Sequence, residues 1–125
     1  MAAVPRVLIV EDEFLIAEYF RIIVEQLGYE VCGLARSADE AVRLARQEEP
    51  ALIFMDVRLA GERDGVEAAQ EIHAIRPVPI IYVTASREPQ TSRRIRDDHQ
   101  SEVLTKPVLQ RHIAAALAKH CPLTR

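Results

Sequence analysis

The sequence has 125 residues with a formal net charge of −3, and 49% of the residues are hydrophobic. A chain of this length suits one domain with one hydrophobic core, and we expect that domain to cover residues 1–125 with its core at about 6–120. The negative charge excludes bulk attraction to nucleic acid, no apolar run is long enough to cross a membrane, and residues 1–6 lack the pattern of a signal peptide. We therefore expect a cytoplasmic protein whose partners include neither nucleic acid nor membranes.

Five short apolar segments predict buried β-strands. Strands that are apolar along most of their length are typical of parallel sheets covered on both faces. The predicted strands cover residues 7–10, 29–34, 51–55, 79–84 and 102–105. The third strand follows the breaker Pro50 and ends directly before a single acidic residue, Asp56.

Apolar residues at helical spacing separate these strands. Helices are predicted at residues 14–27, 37–48, 65–75 and 108–120. The apolar residues at helical spacing in the first helix are Phe14, Ala17, Ile23, Val24 and Leu27. The residues of the last helix expected to face inward are Leu109, Ile113, Ala116 and Leu117. Ser37 and Glu40 match a capping box at the start of the second helix.

The stretch between the fourth and fifth strands differs from the other connections. Residues 87–100 are polar, with Ile95 as their one large apolar residue, so we expect any helix there to be short or weakly anchored. Acidic residues follow Arg93, Arg94 and Arg96 at once, which predicts a solvated face for these arginines.

Strands and helices therefore alternate along the chain. Regular alternation with short connections predicts an α/β fold, a doubly wound five-stranded parallel sheet with helices on both faces. The carboxyl ends of the strands form the functional edge of such a sheet.

The predicted strands bring polar and charged residues to that edge. Glu11 and Asp12 follow the first strand, and Asp56 follows the third. Clustered carboxylates repel one another unless a cation lies between them, and Mg²⁺ prefers oxygen ligands of this kind. Thr84 ends the fourth strand and Lys106 follows the fifth, where they supply a hydroxyl group and a positive charge to a phosphoryl group. A solvated helix start would explain the first acids but not the other strand ends.

This set of residues resembles the receiver domain of two-component response regulators over about residues 6–120. The residues that carry the resemblance are Glu11, Asp12, Asp56, Thr84, Ala85, Lys106 and Pro107. The resemblance implies a flavodoxin-like sheet with the strand order 2-1-3-4-5. It also implies a single receiver domain that acts as a signalling phosphoacceptor. By the same resemblance, the domain is not expected to be an enzyme. It would catalyse only its own phosphorylation and dephosphorylation.

The resemblance also implies roles for the acidic residues. Asp56 is expected to accept a phosphoryl group from a histidine of a partner, either a histidine kinase or a histidine phosphotransfer protein. The ligands implied for Mg²⁺ are Asp12, Asp56 and the backbone carbonyl of Arg58, with Glu11 acting through water. Phosphoryl transfer needs an in-line nucleophile and cationic stabilisation of the equatorial oxygens, which such a site supplies.

Lys106 and Thr84 are expected to respond to the phosphoryl group. Lys106 would pair with Asp56 and then with the phosphoryl oxygens, and the Lys106–Pro107 peptide bond is expected to be cis. Thr84 would move to bind the phosphoryl group and pass the signal on, so that binding to a downstream protein changes.

Three features depart from the commonest pattern of the family. The loop at residues 57–65 lacks the usual proline and is one residue longer than in chemotaxis-type receivers. Its Arg-Leu-Ala stretch at residues 58–60 is similar to receivers of general stress-response regulators. Gly65 is expected to supply the turn before the helix. Val103 occupies the position that often carries an aromatic switch residue, and the polar stretch 87–100 disfavours the usual dimer face. We therefore expect a monomer or a weak homodimer.

Other functions account for the residues less completely. A phosphatase of the haloacid dehalogenase type needs an acid where Arg58 stands. A nucleotide-binding module needs a glycine-rich loop, and the four glycines form none. A pseudo-receiver that binds partners without phosphorylation, or a receiver piece of a larger regulator or hybrid kinase, remain alternatives to a receiver without an output domain.

Overall fold

The fold was analysed in a computed structural model, which describes residues 4–85, 93–95 and 101–123. Five strands form one sheet in the order β2-β1-β3-β4-β5, and every neighbouring pair is parallel. The strands are β1 (Arg6–Val10), β2 (Glu30–Ala35), β3 (Leu52–Asp56), β4 (Ile80–Thr84) and β5 (Ser101–Thr105). The predicted α/β fold and its strand order are confirmed.

Within the described ranges, four helices of eleven residues or more cover the strands. They are α1 (Phe14–Gln26), α2 (Ala38–Glu48), α3 (Gly65–Ile75) and α4 (Gln110–His120). Among the residues that the structure describes, no helix has the length and apolar character needed to cross a bilayer.

The core consists of two layers, one on each face of the sheet. Successive strand residues point to opposite faces, so each strand contributes to both layers. Leu8 and Met55 belong to the layer covered by α2 and α3, whereas Ile9 and Phe54 belong to the layer covered by α1 and α4. Helices therefore lie on both faces, as the apolar strands predict.

Two apolar residues named in the predicted helices are exposed. Phe14, at the first position of α1, has a relative exposure of 71%. Leu109 is 41% exposed, since it precedes α4 in an extended conformation, and the prediction that it faces inward was wrong. Val108, which is buried, takes the inward position instead.

The predicted capping box of α2 is half formed. The Ser37 hydroxyl accepts a 3.2 Å hydrogen bond from the N–H of Glu40. The Glu40 carboxylate, however, accepts from the N–H of Arg36 rather than from that of Ser37. The Ser37 hydroxyl thus satisfies one free N–H of the first turn of α2. The Glu40 carboxylate instead holds the backbone of Arg36, the residue before the N-cap.

The polar connection after β4 is described only at residues 93–95. These residues are helical, and Ile95 is buried in the layer beneath α2 and α3. Most of the stretch 87–100, including Arg96, lies outside the described residues.

Candidate functional site

The carboxyl ends of four strands meet at one edge of the sheet. The register pairs Val10 with Met55 and Thr84 with Thr105, so neighbouring strands end almost level. Glu11, Asp56 and Thr84 are therefore adjacent, and all three are buried. A buried acid is rare unless it is paired or binds a cation, which marks this edge as the candidate site.

Lys106 lies between two of the acids. Its Nζ is 3.1 Å from Oε1 of Glu11 and 3.1 Å from Oδ2 of Asp56. Burial acts against the charge of the lysine, but the hydrogen bonds and charges of Asp56 and Glu11 raise the pKa of Lys106 above its usual value. The ammonium group therefore stays charged and provides a fixed cation beside Asp56.

At Glu11, burial and the neighbouring Asp56 outweigh the contacts that favour the charged carboxylate. Burial, then the hydrogen bond with Asp56, raises the pKa of Glu11 to about 7, although the N–H of Glu13 and the Lys106 ammonium oppose the shift. One lysine thus does not fully compensate two buried carboxylates. A further cation at this edge would relieve their repulsion.

The third acid completes a group that suits such a cation. One carboxylate oxygen from each of Glu11, Asp12 and Asp56 can be chosen so that all three lie within 4.8 Å of one another. All the donors are oxygen atoms, which suits Mg²⁺ better than a softer metal. The residues therefore fit the ion expected from the sequence.

Backbone N–H groups orient the acids. Arg58 donates a 3.2 Å hydrogen bond to Oδ1 of Asp56. Glu13 donates a 3.2 Å hydrogen bond to Oε2 of Glu11, and Lys106 donates one of 2.9 Å to the carbonyl of Thr84. The two buried carboxylates and the backbone at Lys106 are thereby held in place.

The remaining predicted positions lie at or near this edge. Ala85 and Pro107 are exposed residues directly after Thr84 and Lys106. The Lys106–Pro107 peptide bond is cis, as expected. Val103 lies on β5 and is 42% exposed.

Gly65 supports the site in a way that its sequence position did not reveal. The expectation was that Gly65 supplies a turn, but its backbone is not in the left-handed region. A Cβ atom here would lie 2.0 Å from the carbonyl oxygen of Asp56. The N–H of Gly65 also donates a 2.7 Å hydrogen bond to the carbonyl of Val57. A residue without a side chain is therefore required for α3 to begin against the backbone of Asp56.

An ion pair links the start of α3 to the connection after β4. Asp64 caps α3 in a complete capping box with Glu67, and both oxygens of Asp64 contact the guanidinium of Arg94 at 2.7 and 2.9 Å. Burial opposes the charge of Asp64, but the hydrogen bonds from Arg94 and Glu67 lower the pKa of Asp64. Arg94 therefore does more than face solvent. The Asp64-x-x-Glu67 pattern could have revealed the cap, whereas nothing local in the sequence indicates the pair with Arg94.

Comparisons with known proteins point to one family. The family model described as the response regulator receiver domain matches residues 7–118. The transcriptional regulatory protein PdtaR of Mycobacterium tuberculosis is 43% identical over 107 residues, which are 85% of this chain and 52% of PdtaR. The polar-differentiation response regulator DivK of Brucella abortus is 37% identical over 105 residues, 82% of this chain and 84% of DivK. The chain thus spans about half the length of PdtaR and most of DivK.

A solved structure agrees with the sequence relatives. The signal receiver domain of a modulated diguanylate cyclase from Desulfovibrio desulfuricans superimposes with a TM-score of 0.86 at 36% identity. The match covers 94% of each chain.

Proposed function

The chain belongs to the response regulator receiver family, and from this premise we propose that it is the phosphoacceptor of a two-component phosphorelay, with Asp56 as the acceptor residue. Family membership makes it a signalling domain. The observation that carries the proposal is the position of the Asp56 carboxylate, which is buried at the sheet edge with Oδ2 3.1 Å from the Lys106 ammonium.

In the proposed reaction, an oxygen of Asp56 forms a bond to the phosphorus of a phosphohistidine. The bond from phosphorus to the histidine nitrogen breaks, and the imidazole leaves with the electron pair. Lys106 stabilises the negative charge on the transferring group, because a cation that is already in place needs no reorganisation during the reaction. Thr84, at the end of the next strand, binds a phosphoryl oxygen through its hydroxyl group.

Mg²⁺ is the cofactor that we propose for this site. Asp12, Asp56 and the backbone carbonyl of Arg58 would bind the ion, and Glu11 would act through water. When bound, Mg²⁺ neutralises charge on the acids and on the phosphoryl oxygens. The acid group within 4.8 Å and the raised pKa of Glu11 support this assignment.

The proposed partners follow from the chemistry. The phosphoryl donor is a histidine kinase or a histidine phosphotransfer protein, and the readout is changed binding to a downstream protein. Added charge at Asp56 would act on Thr84 and on the surrounding loops. Because Val103 stands at the usual aromatic position, this readout does not use a rotating ring on β5. The domain would act in the cytoplasm.

Intact-mass measurement with a small phosphodonor tests the proposal. The chain is incubated with acetyl phosphate with and without Mg²⁺, alongside Asp56→Asn and the control Asp39→Asn. Asp39 is an exposed aspartate on α2, outside the site. We expect one added phosphoryl group in the unmodified chain and in the control, dependent on Mg²⁺, and none in Asp56→Asn. Absence of the adduct in every sample, including one with a phosphorylated histidine kinase, would instead favour a pseudo-receiver.

A further inference from the structure

Tyr19 on α1 contacts the loop that carries Lys106. Its hydroxyl donates a 3.0 Å hydrogen bond to the backbone carbonyl of Val108, 89 positions along the chain. Val108 stands two residues after Lys106 and directly before Leu109, the N-cap of α4. The hydrogen bonds that open α4 are accepted by the carbonyl of Leu109. The carbonyl of Val108 is therefore held from outside α4, by α1.

Hydrogen bonds hold the backbone on both sides of the Lys106 side chain. On one side, the N–H of Lys106 itself donates to the carbonyl of Thr84 at 2.9 Å. On the other side, the Val108 side chain is buried and its carbonyl is bound by Tyr19. A lysine side chain has many rotamers, so a fixed backbone on both sides limits where the ammonium group can lie.

The ring of Tyr19 is held independently of its hydroxyl group. It packs edge to face on Phe20, with ring centroids 6.0 Å apart. Phe20 packs in the same way on Phe54, at 5.4 Å, and Phe54 lies two residues before Asp56. Phenylalanine at position 19 would keep these ring contacts, so the change removes the hydrogen bond to Val108 alone.

We propose that Tyr19 is a positioning residue for Lys106, acting through the carbonyl of Val108. The consequence for reactivity rests on the proposed phosphoacceptor function, whereas the effect on the loop does not. Without the hydroxyl, the loop occupies more conformations and the contact between Lys106 and Asp56 is populated less. Phosphorylation of Asp56 then slows, because the cation is less often in place.

The variant Tyr19→Phe tests this role, and Tyr29→Phe is its matched control. The Tyr29 hydroxyl also donates to a backbone carbonyl, that of Cys121 at 2.7 Å, but at the other end of α4. Both variants therefore lose one hydrogen bond from a side chain to a backbone carbonyl. The bond of Tyr29 is buried, whereas Tyr19 is 40% exposed, so the control removes a bond at least as important for stability. Only Tyr19→Phe releases the loop beside Lys106.

Three measurements are made on each variant: the thermal midpoint, the hydrogen exchange of the Lys106 amide, and the rate of phosphorylation by acetyl phosphate with Mg²⁺. We expect both variants to lower the midpoint, Tyr29→Phe by at least as much as Tyr19→Phe. Only Tyr19→Phe should speed the exchange of Lys106 and slow phosphorylation, each by about three- to tenfold, the factor that corresponds to one net hydrogen bond. In a Lys106→Met background, Tyr19→Phe should have no further effect on the rate.

Each alternative outcome has a definite meaning. Equal slowing by Tyr19→Phe and Tyr29→Phe would overturn the positioning role, because general stability would then explain both. Unchanged exchange at Lys106 in Tyr19→Phe would also overturn it. If the unmodified chain takes up no phosphoryl group, the proposed function fails, and the exchange measurement alone decides whether Tyr19 orders the loop.

Discussion

Replacing Gly65 by alanine should disturb the proposed acceptor site by a steric clash rather than by backbone strain. The added Cβ would lie 2.0 Å from the carbonyl oxygen of Asp56 and 3.0 Å from Cγ of Met55, where ordinary contact begins at 3.4 Å. The nearest atom belongs to the backbone and cannot rotate away, so α3 or the end of β3 must move by at least about 1 Å. Overpacking of this kind costs about 3 kcal/mol of unfolding free energy.

Gly61 offers a matched control, because an added Cβ there strains the backbone but causes no steric clash. Its φ is +95°, and an added Cβ would meet nothing within 4 Å. Gly61→Ala therefore suffers only from the left-handed backbone, at a cost of about 1 kcal/mol. It lies in the same loop but leaves the backbone of Asp56 untouched.

Urea unfolding followed by circular dichroism measures both costs. We expect Gly65→Ala to lose clearly more stability than Gly61→Ala and, in addition, to slow phosphorylation by acetyl phosphate, whereas Gly61→Ala leaves that rate unchanged. If Gly65→Ala costs no more than Gly61→Ala, or leaves the phosphorylation rate unchanged, the close packing of α3 against Asp56 does not position the acceptor.

Three further predictions concern the charged groups. Lys106→Met should slow phosphorylation at saturating Mg²⁺ by about a hundredfold through loss of the fixed cation, and a rate within a few-fold of the unmodified chain would contradict that role. Mg²⁺ at ten times its dissociation constant should raise the unfolding free energy by about 1.4 kcal/mol; calorimetry of Asp12→Asn should show a much smaller gain, and an equal gain would place the ion elsewhere. Because Arg94 lowers the pKa of Asp64, the stabilisation by this ion pair should be fully present above the unfolded-state pKa of about 4 and disappear as pH falls through the lower folded-state value. Asparagine also caps helices, so the difference in unfolding free energy between the unmodified chain and Asp64→Asn measures the ion pair with Arg94. A difference that stays constant from pH 7 to about 2 would refute the link between this ion pair and pH.

The sheet and its site edge could be predicted because the relevant signals are local. The run from Leu52 to Met55 is apolar throughout and is followed by Asp56, so the strand, its burial and the position of the acid at its end can be predicted from five adjacent residues. The strand order was expected from the resemblance to receiver domains, because the general rules for doubly wound sheets allow more than one order. In that order the parallel strands bring Lys106 to Asp56, although the two residues are 50 positions apart.

The features that the sequence did not predict depend on contacts between distant parts of the chain or on exact backbone positions. Helical spacing placed Leu109 on the inner face, but periodicity cannot tell at which residue the first turn begins. The pairs between Asp64 and Arg94 and between Tyr19 and Val108 join residues 30 and 89 positions apart. They depend on loop paths and rotamers that no local pattern encodes. The role of Gly65 was missed because the sequence shows a glycine but not the backbone atom that approaches it.

Locating the phosphoryl group is the most direct test of the account. The chain is phosphorylated by a phosphohistidine protein in the presence of Mg²⁺ and reduced with borohydride, which converts an aspartyl phosphate to homoserine, and its peptides are then sequenced by mass spectrometry. The account predicts homoserine at position 56 alone. Homoserine at Asp12 or at another aspartate, with Asp56 unchanged, would contradict the assignment of Asp56 as the acceptor.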